Sequence, residues 1–109
     1  MRIWDIAPQK LCRNHLLGEH RELHAIWSVL TKNKKGYSRH PETLRWKGKL
    51  AALYCRHQLL IQEMQARGYN HHSRLDRRLA CGAKKQTEFV DSLKKQKENL
   101  RNKLCACRV

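Results

Sequence analysis

The sequence predicts an all-α fold: one compact domain, residues 1–109, of three main helices preceded by an extended N-terminal segment. Apolar residues recur at spacings of three and four over three separate stretches, which is the period of helices with one buried face. Polar, glycine- or proline-containing stretches separate them. A chain of 109 residues is long enough for a single core with little to spare.

Met1 to Leu11 has no helical period, and Pro8 interrupts it, so this stretch is predicted to be extended. Ile3, Trp4 and Ile6 are its anchors to the body. The first helix is predicted from Pro8 or Cys12 to Leu30, with Leu16, Leu23, Trp27 and Leu30 on one stripe. Thr31 to Gly36 then reads as a basic turn, in which Lys34 and Lys35 are candidate phosphate contacts.

Pro41 suits a first helical position and Glu42 the positive end of the helix dipole, so a long second helix is predicted from Pro41 to a cap at Arg67-Gly68. Leu50, Leu53, His57, Leu60 and Met64 form its stripe, with Trp46 and Ile61 alongside. His57 within that stripe reads as a satisfied core or flank histidine. Residues 71–83 read as a polar, basic loop with short turns. Phe89, Leu93, Leu100 and Leu104 mark a last helix capped by Asp91 or Ser92 and ending at Leu104.

Twenty-four Lys and Arg against nine Asp and Glu give a net charge of +15. The excess is present in every third of the chain and heaviest after residue 71, so the body itself is basic. Such a density implies a polyanionic partner, nucleic acid ahead of a membrane surface, since no apolar run approaches the roughly 18 residues of a spanning helix. Met1 to Gln9 holds charges and a proline where a secretory signal would be apolar, which predicts an intracellular, cytoplasmic protein associated with the nucleoid. A monomer is expected. The five cysteines, Cys12, Cys55, Cys81, Cys105 and Cys107, are odd in number and lack a paired C-x-x-C spacing. They read as reduced thiols, with Cys105, Cys107, Cys81 and nearby histidines the one grouping that could approach a metal.

His15, Glu19 and Glu22 cluster along one edge of the first helix's apolar stripe. A carboxylate in that setting is suited to proton transfer or to stabilising a transient cation, and Glu22 is the candidate. Arg21 beside it and Glu19 three residues earlier read equally as a solvated face with weak ion pairs. No serine-nucleophile elbow, phosphate-binding loop, zinc-protease motif or carboxylate set for two metals competes with it.

Met1-Arg2-Ile3, His15 and Arg21-Glu22-Leu23, followed by Lys49-Leu50, Arg56-His57-Gln58 and Arg67-Gly68-Tyr69-Asn70, resemble the phage pyrimidine-dimer DNA glycosylases of the endonuclease V type. The likeness runs in ordered blocks over about the first 75 residues. It implies a repair glycosylase with abasic-site lyase activity on cyclobutane pyrimidine dimers in damaged double-stranded DNA. The nucleophile would be the α-amine of Met1, retained because Arg2 is too large for methionine removal, and the Schiff base would form on it. Glu22 would be the catalytic partner, Arg2 and Arg21 the phosphate clamps, and His15 an orienting or proton-shuttling group. No cofactor or metal is implied for this chemistry. Ala25 stands where the family has a further arginine, and the family's aromatic C-terminal segment is absent. Two other readings stay open: a non-catalytic basic DNA-binding domain, and a glycosylase or lyase of the same chemistry acting on another lesion.

Overall fold

The computed structural model describes residues 2–70, 73–103 and 105–109. Its helices are α1 (Arg13–Lys32), α2 (Pro41–Leu44), α3 (Leu50–Ala66) and α4 (Leu93–Arg101), with single 3-10 turns at Pro8–Lys10 and Arg77–Leu79. Among the described residues there is no strand, so the all-α expectation holds. No helix among them is long and apolar enough to cross a membrane.

The principal packing is α1 against α3. Leu16, Leu23, Ile26 and Trp27 of α1 meet Leu53, Leu60 and Met64 of α3, all within one buried cluster. Ile3, Trp4, Ile6 and Leu11 join it from the N-terminal segment, so that segment is core rather than appendage. His57 is fully buried, as expected of a satisfied core histidine, with Nδ1 3.1 Å from Gln58 Oε1.

The long second helix predicted from Pro41 is two helices. After α2 the chain makes consecutive turns, with the N–H groups of Trp46, Lys47 and Lys49 donating to the carbonyls of Thr43, Leu44 and Trp46. Gly48 then adopts a left-handed conformation (φ 74°) that breaks the helix. The cause is tertiary. The first N–H groups of α3 have no partner within their own helix. A distant segment supplies two: Ala51 and Ala52 donate to the carbonyls of Cys81 (2.8 Å) and Ala83 (3.0 Å), while Ala83 donates to Gly48 (3.0 Å). Apolar spacing continues across the break, and Leu53, Trp46 and Met64 are all buried.

At the C-terminal end, Ser92 caps α4 as expected, its Oγ accepting from Lys95 N–H at 3.1 Å. The helix ends at Arg101, short of the predicted Leu104, which lies outside the described residues together with Met1, His71 and His72. Of its predicted stripe, Leu100 is buried, but Phe89 and Leu93 stay close to half exposed. Gln96 takes the inward position instead, because its amide has work to do there.

Candidate functional site

A buried extended chain must find partners for its N–H groups. Here side chains provide them. The N–H groups of Ile3, Trp4 and Asp5 donate in turn to Glu42 Oε1 (3.3 Å), Glu19 Oε1 (3.0 Å) and Gln96 Oε1 (2.8 Å). These acceptors come from α2, α1 and α4, and all three are buried. Three helices thus grip three consecutive residues.

Two arginines neutralise the acids that do this. Arg45 donates through Nε to Glu42 Oε1 (2.7 Å), through Nη1 to Asp5 Oδ1 (3.2 Å) and the Glu88 carbonyl (3.0 Å), and through Nη2 to the Ile3 carbonyl (2.9 Å). Arg56, from α3, meets Glu19 in a fork: Nε to Oε2 at 2.7 Å and Nη2 to Oε1 at 3.0 Å. Burial pushes the Glu19 carboxyl above the usual carboxylate range, and the Arg56 guanidinium and the Trp4 amide oppose that push. Glu19 is therefore committed on both oxygens.

Glu22 lies one turn further along the same edge of α1. It is half-buried, and no described residue hydrogen-bonds to or ion-pairs with its carboxylate. Glu22 is thus open to a reacting group while Glu19 is not. Met1, its expected partner, lies outside the described residues.

The other predicted residues are scattered more widely. Arg2 pairs with Asp91 (Nη1 to Oδ2, 2.8 Å) and lies over the Trp4 ring, 4.8 Å from its centroid. Arg21 is exposed, next to Glu22 in sequence. Lys34 and Lys35 are exposed just beyond Asn33, whose left-handed backbone (φ 50°) ends α1. Ten helical steps separate Glu22 from Lys32, so the end of α1 from which this basic corner leaves is roughly 15 Å along the axis from Glu22. His15 is half-buried, edge-on to Trp4, and burial together with the charge of Lys103 holds its pKa below the ordinary histidine value.

Sequence reasoning missed Glu19, Arg56, Glu42, Arg45 and Gln96 as the residues that place the segment. A weak signal existed for two of them: Glu42 and Arg45 are three apart beside a tryptophan, a spacing at which opposite charges pair on a helix. Among the described residues there are two clusters of potential metal ligands, of which sequence reasoning anticipated only Cys105 and Cys107 with a histidine, and missed Cys12 and the histidine trio. Cys12, His15, Cys105 and Cys107 bring their donor atoms together, as do His20, His24 and His57, with every pair of atoms in each cluster within 4.8 Å. Cys81, expected near Cys105 and Cys107, instead accepts from α3 through its carbonyl and is not in the cluster.

Fold and site define a small, strongly basic helical domain whose buried acids converge on its own N-terminal segment. A family model for pyrimidine dimer DNA glycosylase matches residues 1–77, and the chain belongs to that family. The family works in DNA repair, and its substrate is DNA containing pyrimidine dimers. No curated protein and no solved structure matches the chain. The matched region contains the segment, α1, α2 and α3, and leaves α4 and the C-terminal tail outside it.

Proposed function

We propose that this glycosylase also nicks the abasic strand, by a Schiff base formed on the α-amine of Met1, with Glu22 as its acid–base partner. The observation that supports this most is the grip on Ile3, Trp4 and Asp5. Three residues of extended chain reach at most about 10 Å from the Trp4 nitrogen to the Met1 nitrogen. Glu22 is only about 4.5 Å along the helix from Glu19, which holds Trp4. Pinning the segment at Glu19 limits the distance the amine can lie from the part of α1 that carries Glu22, and limited reach of this kind favours an intramolecular nucleophile.

The steps use ordinary amine chemistry. The nucleotide is extruded from the duplex so that its C1′ can be reached. An α-amine with an ordinary pKa of about 7.7 to 8.0 has a useful neutral fraction near neutrality. Its lone pair attacks C1′, and the base departs with the electrons of the glycosidic bond and takes up a proton. Glu22, as a carboxylate, stabilises the cationic sugar and takes the proton that the newly bonded amine gives up; it then passes that proton to the ring oxygen, so that the C1′–O bond breaks, the ring opens and the C1′–N bond becomes an imine. Glu22, now a carboxylate, takes the C2′ proton, and the electrons expel the 3′ phosphate by β-elimination. Water hydrolyses the imine and frees the amine.

Arg2, Arg21, Lys34 and Lys35 are proposed to contact phosphates on either side of the extruded nucleotide, and His15 to steady the segment beside the sugar. Borohydride reduction during turnover tests the reading. A stable protein–DNA adduct mapped by mass spectrometry to Met1 is the expected result. Base release without any trappable adduct would leave a simple glycosylase, and an adduct on an internal lysine would move the nucleophile elsewhere.

A further inference from the structure

We infer that Cys12, His15, Cys105 and Cys107 form a tetrahedral metal site, suited to zinc, that fastens the C-terminal tail to the start of α1. His15 Nδ1 lies 3.0 Å from Cys12 Sγ and 3.3 Å from Cys107 Sγ, and all four donor atoms fall within 4.8 Å of one another. In a tetrahedral site with Zn–S near 2.3 Å, neighbouring sulfurs are about 3.8 Å apart. The four donors therefore already surround a point of the right size, and a metal would need only to spread the nitrogen and sulfurs slightly.

The donor set is specific. Three thiols and one imidazole are a structural zinc combination, and soft sulfur ligands disfavour magnesium, calcium or manganese. None of the three thiols is bonded to another cysteine. One disulfide would also leave the third thiol over, whereas a metal uses all of them. With three thiolates and a neutral imidazole around a divalent ion the site carries a net charge of −1, which the charge of Lys103, felt at His15, suits electrostatically. Binding would release the three thiol protons.

Position supplies the purpose. Among the described residues beyond Arg101 the tail forms no helix or strand, and Arg108 N–H donates to the Lys10 carbonyl at 2.7 Å, Cys12 N–H donates to Cys107 Sγ at 3.1 Å and Arg101 Nε donates to the Val109 carbonyl at 2.9 Å. Cys12 and His15 stand at the junction between the N-terminal segment and α1, with His15 against Trp4. A metal here closes a loop of some ninety residues and braces the ring on which the segment rests. Both tail cysteines lie outside the residues matched by the family model, whereas Cys12 and His15 lie within them. The metal takes no part in the base-excision chemistry, and the inference does not depend on that chemistry.

The histidine cluster of His20, His24 and His57 could also take a metal, so the test must report on sulfur. Purified, reduced protein is stripped of metal and titrated with cobalt(II). The expected result is a near-ultraviolet thiolate-to-cobalt charge-transfer band together with the visible bands of tetrahedral cobalt, both saturating at one equivalent and erased by zinc. Cys105→Ser and Cys107→Ser should lose or weaken the sulfur band, while Cys55→Ser, Cys81→Ser and His24→Ala keep it. With zinc bound, a thiol reagent should react rapidly with two cysteines and slowly with three. Cobalt bound without a sulfur band, five equally reactive thiols in the presence of zinc, or a Cys12–Cys107 disulfide in protein from a reducing cytosol would overturn the inference. The wild-type spectrum and thiol count decide it even if the serine variants fail to fold.

Discussion

Glu19 accepts the amide proton of Trp4 at 3.0 Å while both of its oxygens are held by Arg56, so one buried carboxylate on α1 ties the N-terminal segment to α3. A buried ion pair adds little net stability compared with apolar residues, but removing one partner strands the other. Glu19 is a positioning residue in this arrangement. Its oxygens leave no room for a reacting sugar, whereas Glu22 has room.

Arg56→Leu should destabilise the protein by about 3 to 5 kcal/mol near neutral pH, because it leaves the Glu19 carboxylate buried and unpaired. The pH dependence has a definite sign. Burial raises the Glu19 carboxyl's pKa in the folded state, so the folded state holds the proton more tightly than the unfolded chain. Stability from that group is fully present below the ordinary carboxylate pKa and is lost as pH rises through the raised value. Removing Arg56 takes away an opposing cation and widens that window. Urea denaturation should thus show a smaller deficit at mildly acidic than at neutral pH. An equal deficit at both would mean that the lost packing of Arg56, rather than charge, sets the cost.

Glu22→Gln should abolish strand nicking and leave binding to dimer-containing duplex unchanged or slightly tighter, since it removes one negative charge from a basic surface. Binding of both proteins should weaken steeply with salt, as expected where phosphates supply most of the affinity. Gel assays on ultraviolet-irradiated DNA measure both quantities. Unchanged nicking would remove Glu22 from the mechanism.

Acetylation of the α-amine, or an uncleaved tag ahead of Met1, should eliminate activity while sparing the fold. The α-amine titrates about two to three units below lysine, so it can be acetylated selectively near neutral pH. Circular dichroism checks the fold, and nicking assays check the function. Full activity from the blocked protein would exclude a terminal nucleophile.

Gly82→Ala should be destabilising out of proportion to a single methyl group. Gly82 has φ 83°, and a Cβ there would collide with the Gly48 carbonyl, which receives the Ala83 amide. A strained left-handed backbone alone costs on the order of 1 to 3 kcal/mol. Gly18→Ala serves as the control, because nothing crowds a Cβ at that helical position and alanine is the better helix former. Thermal denaturation of the two variants should move in opposite directions.

From the sequence alone, the class, the family resemblance and most elements could be read. Helical spacing identified α1, with Leu16, Leu23 and Trp27 buried as expected, and the Ser92 cap of α4 could be read from local residue types. These features depend on neighbours three or four residues apart, which is where sequence is informative. The ordered blocks from Met1 to Asn70 likewise pointed to the family that residues 1–77 match. Tertiary structure alone decided the rest. The break at Gly48 is made by residues more than thirty positions away, so the continuous apolar period concealed it. Glu19 and Glu22 look alike on a helical wheel, and only the arrival of Trp4 and Arg56 makes one a fastening and leaves the other free. Cys105-x-Cys107 hinted at a metal in the sequence but was grouped with Cys81, and it is the return of the tail to the start of α1 that brings Cys12 and His15 to it instead. In each case the deciding contact joins residues far apart in the chain, and local sequence pattern does not encode which distant partner arrives.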